Sequence, residues 1–294
     1  PNSVPIASTT DPQPAGRGGF TMVELVVVIV LVGILGTVSA NIVGGFVGGA
    51  LQGMERAERA TAGRLAVERM ARELRRGVPN SFAVCDQVSG GTCNDTTGTN
   101  GVRVVFFRSL DVGRYKAKGG TSDNDRLQIP EESAREFKVL APGLSGVSAG
   151  DIQGIVAPQS YDAVFEDPAG GPPRARLDDV DSGPAGPNIY RLGLVNSDEF
   201  DVHSPQKRIY FAEQLVAFCK EGEKVYLARQ SLNEEHDEAS DPPCPPASPQ
   251  EYRLLNGVQT LEFTLLEGEG TYERLVGIEL VLKPGSAGGE ELSF

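Results

Sequence analysis

The sequence has few of the residues and motifs on which enzymes depend. It contains no tryptophan and only two histidines, His203 and His236. The Walker A, HExxH and GxGxxG patterns, which mark phosphate, zinc and dinucleotide sites, are all missing. His203 lies close to Pro205 in a loop-like stretch, and His236 lies in an acidic one. We therefore do not expect an enzyme.

Basic residues are also in the minority, with 27 Lys and Arg against 40 Asp and Glu, which gives a formal net charge of −13. Such acidity argues against nucleic acid or anionic lipid as the main partner. A chain of 294 residues can hold one large domain or two modest ones. Its 36 Gly and 20 Pro favour a loop-rich body.

Cysteine is scarce, and its spacing excludes some roles. The four cysteines form no CxxC pair, which argues against a zinc ribbon or a thioredoxin-like motif. In an exported protein an even number of cysteines suggests two disulfides, for which three pairings are possible. We favour the local pairing, Cys85 with Cys93 and Cys219 with Cys244, because it closes two loops rich in Gly or Pro.

The most informative stretch is Arg17-Gly18-Gly19-Phe20-Thr21-Met22-Val23-Glu24, which is followed at once by an apolar run from Leu25 to Val47. At about 1.5 Å per helical residue this run covers a ~30 Å hydrocarbon core. A charge at the bilayer centre costs roughly 2.5–3.5 kcal/mol, so Glu24 is a functional candidate. In a secretory signal peptide the apolar stretch precedes the cleavage site, whereas here the glycines come first.

The segment Gly19-Phe-Thr-Met-Val-Glu24 resembles the class III signal of type IV pilins and pseudopilins. The resemblance implies that a prepilin peptidase cleaves between Gly19 and Phe20 and methylates the new amino group of Phe20. It also implies that Glu24 pairs with the α-amine of a neighbouring subunit and sets the axial register of a filament. The alternative role for Glu24 is a carboxylate that reaches the bilayer interface.

Two further stretches resemble the O-type minor subunit of mannose-sensitive haemagglutinin (MSHA) pili. One is Val67–Ser81, and the other is Arg208–Cys219 followed by Val225–Arg229. Major pilins commonly carry a proline near the position of Asn41 and have smaller heads. Both differences favour a minor subunit in a structural, initiating or tip role.

The predicted fold class is α+β, a long N-terminal helix packed on an antiparallel β-sheet head. Residues 1–19 are the expected leader peptide, 20–78 the helix and 79–294 the head. The helix is divided into a membrane span at about 24–47 and an amphipathic part at about 54–76. An apolar stripe recurs at 3,4 spacing, and Gly77 and Pro79 are expected to end the helix. The stripe consists of Ala60, Gly63, Val67, Met70 and Leu74.

Seven glycines between Gly33 and Gly53 favour either close helix packing or local unwinding between about Gly44 and Gly53. After the helix, alternating patterns predict β-strands. Residues 141–187 and 233–250 are predicted surface loops. The final strand either continues at Glu291–Phe294 or is cut short by the chain end. The predicted strands are Val102–Arg108, Arg126–Pro130, Glu136–Leu140, Ile189–Val195, Arg208–Cys219, Lys224–Gln230, Val258–Leu266 and Arg274–Lys283.

The resemblance implies the partners of a pilin: the prepilin peptidase, other pilin subunits, an assembly platform protein and an ATPase. It places the protein in the inner membrane with a cytoplasmic N-terminus and a periplasmic head before assembly, and Arg17 favours this orientation. We expect no cofactor. A calcium site at Glu234, Glu235 and Asp237 is a weak candidate. The alternatives are a minor pseudopilin of a type II secretion system and a membrane-anchored periplasmic enzyme or adhesin.

Overall fold

The protein consists of one long helix and an antiparallel β-structure, which confirms the predicted α+β class. It divides into two compact units, Pro1–Met54 and Glu55–Phe294. The predicted strand Arg126–Pro130 lies outside the described residues. The computed structural model describes residues 19, 21–88, 92–115, 136–148, 152–156, 174–182, 188–194, 204, 206–232, 242–247, 252–268, 274–284 and 292–294.

Helix α1 spans Met22–Leu74 and is continuous through Gly44–Gly53, so the unwinding alternative is not observed. Its N-terminus is capped by Thr21, whose Oγ1 accepts a hydrogen bond from the backbone N–H of Glu24 at 3.3 Å. The helix ends four residues before the predicted limit of 78. Gly77 does not cap it but begins the first strand, where the Phe82 ring leaves no room for a β-carbon.

Fourteen strands occur in the described part of the chain, and every pairing among them is antiparallel. They are β1 Gly77–Cys85, β2 Cys93–Asn94, β3 Asn100–Gly101, β4 Arg103–Tyr115, β5 Glu136–Leu140, β6 Gln153–Ile155, β7 Arg174–Ser182, β8 Ile189–Leu194, β9 Arg208–Glu221, β10 Lys224–Ser231, β11 Arg253–Asn256, β12 Val258–Glu267, β13 Arg274–Leu282 and β14 Leu292–Ser293.

A ten-stranded sheet has the order β11-β10-β9-β6-β7-β8-β5-β4-β1-β2, and β9 also pairs with β4. The extra pairing closes β4, β9, β6, β7, β8 and β5 into a ring of six strands. A buried cluster that includes Tyr115, Leu177, Leu192 and Phe211 joins the strands of this ring. The second sheet has the order β14-β13-β12-β3.

The main core lies between α1 and both sheets. Met70 of α1 is fully buried and shares one apolar cluster with Phe106 and Phe218 of the first sheet and Phe263 of the second. The predicted stripe on α1 is therefore the buried face of the helix, although Ala66 and Glu73 are buried with it. This burial fixes the end of α1 on the head because apolar area removed from water stabilises the folded state.

Several predicted loops and limits were wrong. Residues 141–187 were predicted as surface loop, yet they contain the whole of β6 and of β7, and Ile155 of β6 is fully buried. The last strand does not continue into Glu291–Phe294; instead, β14 turns back and pairs antiparallel with β13. In the first case pairing with other strands, including the distant β9, outweighs local Gly, Pro and charge content, because sheet stability comes from cross-strand contacts.

Strand β1 was also missed, because Gly77, Pro79 and Asn80 resemble a turn. The register of β1 against β4 shifts between Gly77 and Phe82, so Pro79 falls where the ladder is interrupted. Proline has no N–H to donate and is tolerated at such an irregularity. Asn80 has a φ of 61°, a left-handed conformation that asparagine adopts more readily than most residues.

Candidate functional site

The predicted cleavage and assembly residues lie at the start of α1. Gly19 precedes the helix and is exposed, whereas Phe20, the expected new N-terminus, lies outside the described residues. Glu24 is the third residue of α1 and is exposed. It is the only Asp, Glu, Lys or Arg between Met22 and Met54. A single carboxylate therefore stands at the beginning of an otherwise uncharged helical stretch.

The apolar side chains of this stretch are exposed in the part of the chain that the structure describes. Val23 is 73% exposed and Phe46 is 77% exposed, and the large aliphatic residues between them are exposed as well. Among the described residues α1 is the one helix that is long and apolar enough to cross a membrane, by length and composition. Soluble proteins seldom expose so much contiguous apolar surface, so this stretch requires a lipid or protein environment.

The polar atoms of the apolar stretch are partly satisfied within the helix. The Thr37 hydroxyl donates to the carbonyl oxygen of Ile34 at 2.8 Å. Gly45, Gly49 and Gly53 recur at four-residue spacing and so share one face of α1. A β-carbon on any of them would meet nothing within 4 Å. This face therefore offers bare backbone for close approach by another helix.

The part of α1 that follows Met54 is attached to the head by contacts at both ends. Near its start Arg59 pairs with Glu55 at 2.6 Å and donates a hydrogen bond to the Lys283 carbonyl oxygen at 3.3 Å. A β-carbon on Gly63 would lie 2.7 Å from the Phe294 ring and 3.1 Å from a methyl group of Leu282. The predicted stripe position Gly63 is thus where the helix meets the end of β13 and Phe294.

A cluster of charges at the end of α1 was not predicted. Glu73 is only 8% exposed, and its carboxylate lies 3.3 Å from Arg108 Nε and 3.3 Å from Arg229 Nη2. Arg76 approaches it at 3.9 Å, and Arg108 also pairs with Glu213. The buried carboxylate thus joins the last turn of the helix to β4 and β10 of the ten-stranded sheet.

One feature of the sequence could have indicated this cluster. Glu73 follows Met70 by three residues, so it belongs to the same helical face as the apolar stripe. A carboxylate on a buried face requires cations. The partners could not have been named, because Arg108 and Arg229 are distant in the sequence and are brought to Glu73 only by the sheet.

The four cysteines form two disulfides, Cys85–Cys93 and Cys219–Cys244, which is the local pairing favoured above. Arg103 of β4 is the cross-strand neighbour of both Cys85 in β1 and Cys219 in β9. Its side chain is 1% exposed and approaches Cys93 Sγ at 3.3 Å. Cys85–Cys93 therefore joins β1 to β2, and Cys219–Cys244 joins a segment outside the strands to β9 at the same level of the sheet, so both have a structural role.

The weak calcium candidates Glu234, Glu235 and Asp237 lie outside the described residues. Within the residues that are described, no group of three or more His, Cys, Asp or Glu side chains could hold a metal ion. Gly146-Val-Ser-Ala-Gly150 matches the GxSxG pattern of serine hydrolases. It follows a short 3-10 turn, Pro142–Leu144, rather than the strand that the pattern needs as context.

Comparison with known proteins finds no matching family model, no matching curated protein and no matching solved structure. The site must accordingly be interpreted from its own chemistry. It consists of the predicted cleavage point at Gly19, one carboxylate at Glu24, an exposed apolar helical stretch and a disulfide-bonded head.

Proposed function

We propose that this chain is a minor subunit of a type IV pilus or a related filament. In this proposal a prepilin peptidase cleaves between Gly19 and Phe20 and methylates Phe20. The shortened chain then waits in the inner membrane until an ATPase and a platform protein transfer it into a filament of pilin subunits. An O-type subunit of an MSHA-like pilus is the specific assignment that we favour.

The observation that carries the proposal is the exposed apolar stretch of α1 that begins with Glu24 and continues into a folded head. A membrane anchor alone needs about 20 apolar residues and no charge. The helix of a filament subunit uses one apolar surface in two environments. It contacts lipid before assembly and other helices in the filament. The glycine face of Gly45, Gly49 and Gly53 supports the second use, because small residues permit close helix packing.

Glu24 has a distinct role in this proposal. After cleavage the Phe20 amino group and the Glu24 carboxylate are four residues apart near the start of the same helix. In a filament core each of these charges would be costly to bury alone, so pairing between neighbouring subunits stabilises one axial register. In a misaligned subunit both charges would be unpaired, so its incorporation into the filament would be unfavourable.

The location of the head is also part of the proposal. All four cysteines are oxidised, with no free thiol among them, which fits an extracytoplasmic compartment. Arg17 precedes the apolar stretch and favours a cytoplasmic N-terminus, while a long following domain is translocated largely regardless of its charge. The head would then fold in the periplasm.

The test is the N-terminus of the mature protein. The full chain is expressed with a prepilin peptidase, and the membrane fraction is analysed by intact and peptide mass spectrometry. We expect an N-terminus at Phe20 that carries one methyl group. Gly19→Ala should retain residues 1–19, whereas the matched leader variant Gly16→Ala should be processed normally.

Two results would overturn the proposal. One is a wild-type chain that keeps its leader in the presence of the peptidase. The other is identical processing of the wild type and Gly19→Ala, which is the result expected of a membrane-anchored enzyme or adhesin whose anchor only resembles the signal.

A further inference from the structure

The outer face of the four-stranded sheet carries an unusual charge pair. Side chains alternate along β12, so Leu261 and Phe263 enter the core while Glu262 points away from it. Glu262 of β12 lies directly opposite Glu279 of β13. Directly opposed side chains are about 5 Å apart, and like charges in this arrangement are destabilising.

Among the described residues no cation compensates this pair. Neither Glu262 nor Glu279 has an ion-pair partner among the described residues. Glu279 is exposed and Glu262 is half-buried. A sequence that tolerates two opposed carboxylates without a counter-ion can gain stability from a basic partner placed over them.

The same face exposes apolar surface beside the carboxylates. Leu266 and Leu275 are also direct cross-strand neighbours, and they are 46% and 54% exposed. We call the patch formed by Glu262, Leu266, Leu275 and Glu279 the acidic sheet face. A partner for it needs cations and at least one apolar side chain, arranged on a surface that can lie across two strands.

One surface of this chain has that composition. On the side of α1 away from the core, Arg64, Arg69 and Arg72 are exposed and Leu65 is 60% exposed. Glu68 lies among them, so this patch has a net charge of +2, which balances the −2 of the acidic sheet face. We call Arg64, Leu65, Glu68, Arg69 and Arg72 the arginine face.

Positive and negative charges are also separated along the chain, with the positive charges concentrated in the helical part. Residues 55–76 contain seven arginines and four glutamates, although the whole chain has a net charge of −13. The helical part of the second unit is thus basic, and the remainder of the chain is more acidic than the total indicates. Segregation of this kind favours contact between different surfaces of two copies.

We propose that the acidic sheet face of one copy binds the arginine face of α1 in a second copy. Both faces point away from the shared core, so one copy cannot make this contact with itself across that core. The contact joins two different patches, and a contact of that type propagates into a ring or an open filament rather than closing as a symmetric dimer. The inference rests on the proposed filament role and names the surfaces by which adjacent copies of this chain would meet in such a filament.

The test uses the full chain in detergent micelles at low salt. A photo-crosslinking amino acid replaces Leu266, and isotope-labelled and unlabelled chains are mixed so that crosslinks between copies can be recognised. We expect mixed-isotope dimers whose crosslinked peptides map to residues 64–72. The yield should fall with added salt, because exposed charges are screened.

Charge reversal makes the test specific. Glu262→Arg with Glu279→Arg, or Arg69→Glu with Arg72→Glu, should each reduce the dimer yield about tenfold, since like charges then face each other. Combining all four changes should restore it. Glu221→Arg, a reversal of an exposed carboxylate at the end of β9, is the matched control and should have no effect. Glu262→Gln with Glu279→Gln gives a milder version if a reversed variant does not fold.

Several results would overturn the proposed contact between copies. Crosslinks within one copy would show that another segment of the same chain covers the sheet face, and this would overturn the inference. Dimers that survive every reversal, or no dimers at all, would overturn it as well. Cleavage before Phe20 is measured on the same samples: normal cleavage without the dimer refutes only the docking, whereas docking without cleavage refutes the pilin-like function instead.

Discussion

Gly101 of β3 lies against Cys85 of β1 at the point where the chain passes from the four-stranded to the ten-stranded sheet. The next residue, Val102, donates its N–H to the Cys85 carbonyl oxygen at 3.1 Å. A β-carbon on Gly101 would overlap that carbonyl oxygen and would lie 2.6 Å from Cγ1 of Val84. The close approach of the two sheets therefore depends on the missing side chain at Gly101.

Gly101→Ala should consequently destabilise the head. The obstructing atoms belong mainly to backbone, which cannot move aside as a side chain can, and overpacking of this kind costs about 1–3 kcal/mol. Gly277→Ala in β13 is the matched control, since its β-carbon would find ordinary contacts at 3.5–3.6 Å. Denaturant unfolding of both variants measures the difference, and equal free energies of unfolding would contradict the prediction.

Replacing the buried carboxylate at the end of α1 should loosen the helix from the sheet. Glu73→Gln leaves Arg108 and Arg229 without their shared anion, and we expect a loss of about 2–3 kcal/mol in the free energy of unfolding. Glu68→Gln, on the exposed face of the same helix, should change it by less than about 0.5 kcal/mol. A Glu73→Gln variant as stable as Glu68→Gln would show that the cluster contributes nothing.

Glu223 should titrate below the ordinary range of a glutamate. A hydrogen bond from Lys283, followed by the Coulombic attraction of Lys283 and then of Lys220, lowers the pKa of its carboxyl. A lowered folded-state pKa means that the stabilising contribution is present above the ordinary pKa and is lost as the pH falls through the folded value. Carboxyl NMR titration checks this, and Lys283→Met should raise the pKa of Glu223.

Glu24→Ala should separate processing from assembly. The change leaves Gly19 and Phe20 in place, so cleavage and methylation should proceed as in the wild type. Incorporation into filaments should fall steeply, because the buried amino group loses its counter-charge. The readouts are the mature N-terminus by mass spectrometry and the amount of this chain in sheared filaments. Normal incorporation of Glu24→Ala would exclude the register role.

The helix and most long strands could be predicted because their signals are local. The stripe that includes Gly63 and Met70 follows helical periodicity, and β5 begins and ends where alternation indicated. The strand predicted at Val102–Arg108 was correct in position but too short, since β4 continues to Tyr115. Its second half is poorer in apolar residues, and it is held by pairing with β9 rather than by its own pattern.

The ring and the charge cluster could not be predicted because they depend on contacts between distant segments. β7 reads Arg-Ala-Arg-Leu-Asp-Asp-Val-Asp-Ser, which is a poor strand sequence by composition, and its place is set by β6 and β8. The acidic sheet face became recognisable only once the register of β12 against β13 was known. A single-residue shift in that register would separate Glu262 from Glu279.

The ring of six strands also bears on how such a head can be modified. The segment that leaves β4 after Tyr115 returns to β9 beside its starting point, where the Tyr115 N–H donates to the Lys207 carbonyl oxygen at 3.1 Å. Because the ends of this segment are adjacent, the segment can be replaced by another while β1, β4, β9 and β10 keep their pairing. Any replacement must supply apolar residues that cover Ile209 and Phe211. Within that limit, this part of the head can change in sequence while the strands that support it keep their pairing.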